Sequence, residues 1–280
     1  MSWLLLDVGN TALKWALLPA AGAQWPGAEA DGAGSPARRG ALTLAAPDFA
    51  AALALVCDRA RAAEAVIFGC AVAAEGVLST IDREIAKAGL PAVHWFGAQR
   101  RFDHDGIVVS NIYEDAGQLG ADRWHALIGA RAHFPQGALV VVNAGTATTV
   151  DALSADGHFL GGVIVPGLEL MRASLARATA RLPLAAGVLV AHPANTDDAI
   201  NTGILECQAG LIERRVRRVR EATHSALQLL VCGGSGPALM PLLQGNGACA
   251  GVLLQSDLVL RGLWHAARAH QGLVRGPVDP

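Results

Sequence analysis

The sequence predicts an α/β protein built from a duplicated domain, and three observations carry that prediction. Leu4-Leu5-Leu6-Asp7-Val8-Gly9-Asn10-Thr11 is an apolar run that ends in an acid and a glycine-hydroxyl turn. Val140-Val141-Val142-Asn143-Ala144-Gly145-Thr146-Ala147-Thr148 repeats the layout with Asn in place of Asp, as an internal duplication would. Around both runs, strand-like segments alternate with helical ones, and 280 residues suit two domains. We place these at 1–118 and 119–280.

Residues 3–8 form a buried strand, and Leu13 to Leu18 its antiparallel partner across the Gly-Asn-Thr turn. Residues 19–40 are crowded with Gly, Ala and Pro without periodicity, which predicts an exposed loop. Pro47-Asp48 opens a helix toward Ala63, Ala65 to Cys70 is a strand, Glu75 to Ala88 a second helix, and Val93 to Phe96 a strand. A helix from Leu119 or Gly120 to His133 leads into the second hairpin, whose distal turn is Asp156-Gly157 and whose following strand is Phe159 to Val165. Helices from Leu168 to Ala180 and from Asp197 to Thr223 follow. Leu227 to Cys232 is then a strand that stops at a third glycine turn, Gly233-Gly234-Ser235-Gly236.

In each copy of the repeat a strand stops at a polar side chain, a glycine permits a tight turn, and small hydroxyl or amide residues follow. Backbone N–H groups freed by such a turn can point at phosphate oxygens, and the terminal acid can hold a divalent cation or its waters. Two such turns facing each other would form a nucleotide cleft. Either hairpin alone fits equally an ordinary β-turn with a satisfied polar cap.

Composition narrows the class. Hydrophobic residues make up 52% of the chain and charged ones 16%, but much of the apolar content is alanine and no run of ~18 apolar residues could span a bilayer. The N-terminal run lacks a preceding basic segment and is interrupted early by Asp7, so the expectation is no secretory signal, no membrane partner and a cytoplasmic location. The five cysteines have neither Cys-x-x-Cys nor zinc-ligand spacing and are expected to be reduced. A net charge of −2 gives no bulk attraction for nucleic acid. The basic run Glu213 to Glu221 has valines three residues apart among arginines, which describes one buried stripe on a solvated helix. His94, His104, His125, His133 and His192 lack metal-ligand spacing, and Trp124 and Trp264 are simplest as core residues.

Four segments in order resemble the type III pantothenate kinases, a branch of the acetate and sugar kinase, Hsp70 and actin superfamily. They are Asp7-Val8-Gly9-Asn10-Thr11; Leu119-Gly120-Ala121-Asp122-Arg123; Gly145-Thr146-Ala147-Thr148-Thr149 with Gly161-Gly162-Val163-Ile164-Val165-Pro166-Gly167; and Asn195-Thr196-Asp197-Asp198-Ala199-Ile200. The resemblance implies two ribonuclease H-like domains with a nucleotide between them. It also implies transfer of the γ-phosphoryl of ATP to pantothenate, the first step toward coenzyme A, in a homodimer using Mg²⁺ and a monovalent cation, potassium or ammonium.

Carried over residue by residue, the resemblance puts ATP at Asp7, Val8, Gly9, Asn10, Thr11, Ala12, Leu13, Lys14, Gly145 and Thr146, with Asp7 toward Mg²⁺. It puts pantothenate at Tyr113, Gly120, Ala121, Asp122, Arg123 and Thr196, with Asp122 as the general base. Lys14 suits screening of phosphate charge, and the planar fork of Arg123 suits a substrate carboxylate. The plain reading of Asp122-Arg123 is a helix-start acid beside a surface ion pair. The family has Asp at the monovalent-cation position where this chain has Asn143, which removes one negative charge and predicts weaker or altered cation dependence. Asp151, across the hairpin, is a candidate to compensate. A related kinase for another alcohol, or a nucleotide-binding transcriptional accessory factor without catalysis, are the alternatives.

Overall fold

Two five-stranded sheets with the same strand order account for the repeated sequence. In the computed structural model, which describes residues 2–20, 25, 38–178, 186–224, 227–244 and 251–275, the first sheet contains β1 (Ser2–Val8), β2 (Ala12–Pro19), β3 (Arg38–Thr43), β4 (Ala65–Ala71) and β5 (His94–Trp95). Its order is β3-β2-β1-β4-β5, with β1 antiparallel to β2 and parallel to β4. Two short strands follow, β6 (Arg101–His104) and β7 (Ile107–Ser110). The second sheet contains β8 (Ala138–Ala144), β9 (Ala147–Leu153), β10 (Phe159–Pro166), β11 (Leu227–Cys232) and β12 (Val252–Leu254), in the order β10-β9-β8-β11-β12. Here β8 is antiparallel to β9 and parallel to β11, so the two sheets match strand for strand. This is the architecture of duplicated ribonuclease H-like domains.

The chain divides into two compact units, Met1–Gly106 with Tyr113–Gly129 and Leu258–Pro280, and Ile107–Ile112 with Ala130–Asp257. The first unit thus takes up residues that the sequence reading assigned to 119–280: the start of helix α3 (Ala121–His133) and all of the C-terminal helix.

In the first unit, α1 (Phe49–Ala62) and α2 (Glu75–Lys87) cover the sheet face that carries Leu4, Leu6 and Val8. The C-terminal helix α7 (Leu258–Arg275) packs against β1, β2 and β4. With both faces covered, β1 is apolar on both, which explains why its sequence is an unbroken run rather than an alternation. Helices α3 and α7 meet through glycines: a methyl on Gly129 would lie 2.1 Å from the Leu258 carbonyl oxygen, and one on Gly262 would lie 1.8 Å from that of His125. In the second unit, α4 (Leu168–Ala178), α5 (Thr196–Thr223) and α6 (Gly236–Leu243) bury Leu168, Ile204, Ile212, Val216, Val219 and Leu239 against Val140, Val142, Ala144 and Val150. The valine stripe of the basic run is therefore core, and Arg214, Arg217 and Arg218 are exposed.

Strand β3 already begins at Arg38, inside the segment expected to be a loop. Trp25 is buried there, with its ring edge-on to Trp264 at 6.2 Å and the Arg39 guanidinium 4.9 Å above it. The rest of 21–37, the last residues of the helix expected to reach Ala180, and Cys249 lie outside the described residues. Cys57, Cys70, Cys207 and Cys232 are free thiols. Among the described residues no helix is long and apolar enough to cross a membrane.

Candidate active site

The first unit gathers a charged cluster at the end of its central strand. Asp7 is the penultimate residue of β1, opposite Lys14 on β2 and Cys70 on β4. Its carboxylate accepts no hydrogen bond among the described residues. Burial is the main reason that its pKa is raised to about 6; Lys14 opposes the rise, and the nearby charge of Asp122 adds to it. The Cys70 thiol is likewise pushed well up, by burial first and then by Asp7 and Asp122. Asp7, Lys14 and Asp122 thus share one electrostatic environment, although 115 positions separate Asp7 from Asp122 in the sequence.

Burying this carboxylate is expensive, about 1.4 kcal/mol per unit of pKa displacement. The neighbouring Leu4, Leu5 and Leu6 are fully buried, at about 1.5–3 kcal/mol each, and outweigh the penalty. A buried acid with raised pKa and no hydrogen-bond donor is what a divalent cation would complete, so the residues fit Mg²⁺ at Asp7.

The turn after Asp7 is closed by a hydrogen bond from Gly9 N to Ala12 O, 3.0 Å, leaving Asn10 and Thr11 exposed at the tip. Val8 and Leu13 are fully buried beneath it. In the second unit the matching turn is one residue shorter: Gly145 N donates to Ala147 O, 3.1 Å, and only Thr146 stands at the tip. Neither Gly9 nor Gly145 has a positive φ. A methyl would meet nothing closer than 3.4 Å at Gly9 and 3.6 Å at Gly145. The tightness of the turns therefore does not demand glycine, contrary to the sequence argument. A methyl at either position would make only ordinary van der Waals contact with the turn.

Two glycines of the second unit are demanded by packing. A methyl on Gly167 would lie 2.2 Å from the Gly145 carbonyl oxygen, and Gly167 N donates to Thr146 O, 2.9 Å. Gly233 has φ +89 and approaches the Ala144 carbonyl oxygen so closely that a methyl would lie 2.4 Å from it, while Ser235 N donates to the same oxygen, 2.9 Å. The third glycine turn thus sits against the second phosphate-type turn. Gln208, which the sequence reading did not single out, ties these parts together. Its Oε1 accepts from Thr148 Oγ1, 2.7 Å, and its Nε2 donates to Pro166 O, 2.8 Å. On α5 it is one of three buried polar side chains, with Asn201 and Thr202, among aliphatic neighbours.

Asn143 is half-buried and pairs in register with Thr149, whose Oγ1 is buried with no hydrogen-bond partner. Asp151 is buried two pairs farther from the turn, opposite Val141, on the same face of the hairpin as Asn143. The set is one of neutral oxygens with a single acid set back, which fits a large monovalent cation with less charge than an aspartate would bring.

The acceptor-side residues cluster at the start of α3. Asp122 is half-buried in its first turn, where Oδ1 accepts the Arg123 backbone N–H, 2.8 Å. A methyl on Gly120 would sit 2.7 Å from that same oxygen, so Gly120 leaves the carboxylate its room, and Ala121 is buried beside it. Arg123 is buried rather than on the surface, and Nη1 donates to Tyr113 Oη, 3.3 Å. Arg100, another residue the sequence reading passed over, donates to the carbonyl oxygens of Tyr113 and Glu114, 2.6 Å each.

Thr196 is exposed at the head of α5 in the second unit, where Asn195 Oδ1 caps the helix by accepting Asp198 N–H, 2.9 Å. Asp198 Oδ1 in turn accepts Val188 N–H, 2.8 Å. Much of the Asn195 to Asp198 motif therefore builds the helix start. Among the described residues no group of three or more His, Cys, Asp or Glu could hold a metal ion. His125 is core, with Nδ1 2.7 Å from Ala121 O and its pKa lowered to about 4 by burial.

A model of the family described as type III pantothenate kinase matches residues 3–218. The type III pantothenate kinase of Azoarcus sp. (strain BH72) is 42% identical over 240 residues, 86% of this chain and 82% of that protein. That of Aromatoleum aromaticum is 40% identical over 267 residues, 95% and 97% of the two chains. A crystal structure from Campylobacter jejuni, described as a conserved Baf family transcriptional activator, shares the fold: the TM-score is 0.56 at 20% identity, over 96% of this chain and 98% of the other.

Proposed function

Because this chain belongs to the type III pantothenate kinase family, we propose that it transfers the γ-phosphoryl group of ATP to the hydroxyl of pantothenate, giving 4′-phosphopantothenate for coenzyme A synthesis. The observation that supports this reading best is the shared electrostatic environment of Asp7, Lys14 and Asp122. A phosphate-side acid, a cation to screen charge and a candidate base belong together in phosphoryl transfer.

In this reading the backbone of the turn from Val8 to Leu13, with Gly145 and Thr146 of the second turn, binds the phosphates of ATP. Lys14 offsets their charge. Asp7 would hold Mg²⁺, which when bound supplies positive charge against the phosphate oxygens. Asp122 takes the proton from the pantothenate hydroxyl as that oxygen attacks the phosphorus in line, with no covalent enzyme intermediate. Arg123 and Tyr113 orient the pantothenate carboxylate and its neighbouring polar groups, and Gly120, Ala121 and Thr196 line its pocket. Asn143 would hold the monovalent cation. The chain is proposed to act as a homodimer in the cytoplasm.

Release of ADP by the purified protein, with and without pantothenate, tests this directly. The expected result is turnover only with pantothenate and a fall of about 10²–10⁴-fold in kcat for Asp122→Asn. Turnover with another alcohol instead, or ATP binding without turnover, would replace the reading with a different kinase or with a nucleotide-binding regulator. In the same assay Asn143→Asp lowers the potassium concentration giving half-maximal rate; an unchanged response removes Asn143 from the cation site.

A further inference from the structure

We propose that Arg100 is a positioning residue for the acceptor pocket, acting through the backbone of Tyr113. The inference rests on the reading above that Tyr113 and Arg123 face pantothenate. Between β7 and α3 the chain has no strand or α-helix, and only a short 3-10 turn at Ala116–Gln118 is regular. Two side chains fix this stretch at the level of its backbone. Asp115 Oδ1 accepts Gly117 N–H, 2.9 Å, and closes the turn on one side of Glu114. On the other, the guanidinium of Arg100, thirteen positions before Tyr113, sends one nitrogen to each of two consecutive carbonyl oxygens, those of Tyr113 and Glu114.

Two adjacent carbonyls held by one planar fork fix both the place and the tilt of the peptide between them, which a single point charge cannot do. The Tyr113 side chain leaves the backbone at that peptide. Its hydroxyl lies 3.3 Å from Arg123 Nη1, at the long end of hydrogen-bond distances, so a small shift of the backbone breaks the pair. Arg100 is itself exposed, and its two terminal nitrogens donate to main-chain carbonyls. Its contribution is therefore to where Tyr113 sits, with little weight in the stability of the fold.

The test is steady-state kinetics on Arg100→Ala, Arg100→Lys, Tyr113→Phe and the Arg100→Ala/Tyr113→Phe double variant, with melting temperatures alongside. Arg100→Ala is expected to raise the KM for pantothenate about ten-fold while leaving that for ATP unchanged. Arg100→Lys falls between it and the parent, and the double variant is less impaired than the product of the two single effects. Melting temperatures stay within about two degrees of the parent. The proposal is overturned if Tyr113→Phe raises the pantothenate KM and Arg100→Ala does not, if Arg100→Ala impairs both substrates equally, or if the two effects multiply independently. Failure of the underlying reading looks different: Tyr113→Phe and Arg123→Ala both leave the pantothenate KM unchanged.

Discussion

At the scale of single residues, Asp7 shows how function and stability oppose each other here. Its carboxylate is held at a pKa of about 6 against an ordinary 3.8, chiefly by burial. At neutral pH it is ionised in a place that disfavours the charge. Asp7→Asn should therefore stabilise the free protein by about 1–3 kcal/mol at pH 7.5, read as a higher denaturation midpoint, while abolishing turnover. An unchanged or lower midpoint would show that Lys14 already compensates the carboxylate in full. Asp7 and Asp122 were both legible in the sequence as motif residues, but their mutual influence was not, because it arises only when β1 and the start of α3 come together. Arg123 shows the same limit: by pattern it fitted a surface ion pair, yet it is buried against Tyr113. Arg100 escaped notice because an arginine that bonds main chain leaves no periodic trace in the sequence, and Gln208 because its partners, Thr148 and Pro166, lie far from it along the chain.

At the scale of elements, the hairpins, the strand runs and most helices were readable because each buries an apolar set with a strand or helix period. Helix α6 was not, since Pro237 and Pro241 break its pattern and its opening glycines look like a plain turn. Neither was the dependence of α3 on α7. These helices approach so closely at Gly129 and Gly262 that their backbones leave no room for a side chain. Gly262→Ala should destabilise the protein by about 1–3 kcal/mol in chemical denaturation. It should also lower kcat, since α3 carries Asp122 and would be displaced. A stable Gly262→Ala variant with parental kcat would show that α3 can shift without disturbing the acid.

At the scale of the whole molecule, the duplication was legible from two short segments, and the identical strand orders of the sheets bear it out. Acid sensitivity is a property of the sum of groups. His125 has a folded pKa of about 4 against 6.5, so its neutral form stabilises the protein above pH 6.5, and that contribution is lost as pH falls toward 4. His265, also lowered to about 4 by burial and by Arg268 and Arg261, acts in the same direction. Asp7 acts oppositely, since its penalty is relieved as pH falls from about 6 to 3.8. With two histidines against one acid, stability should decline between pH 6.5 and 4, with a shallower slope in His125→Phe and a steeper one in Asp7→Asn. Denaturation midpoints across that range measure it, and a flat profile would mean that the imidazoles are not held neutral.

The discontinuity of the first unit carries a consequence for how the protein is made. Helix α7 lies against β1, β2 and β4, so these strands wait for a helix made much later than themselves before their sheet is sheathed on that side. The second unit, almost all within 130–257, has its parts in hand sooner. During synthesis the exposed flank of β1, with Trp3 and Leu5 on it, is the surface at which a stalled or truncated chain would aggregate or be captured by a chaperone.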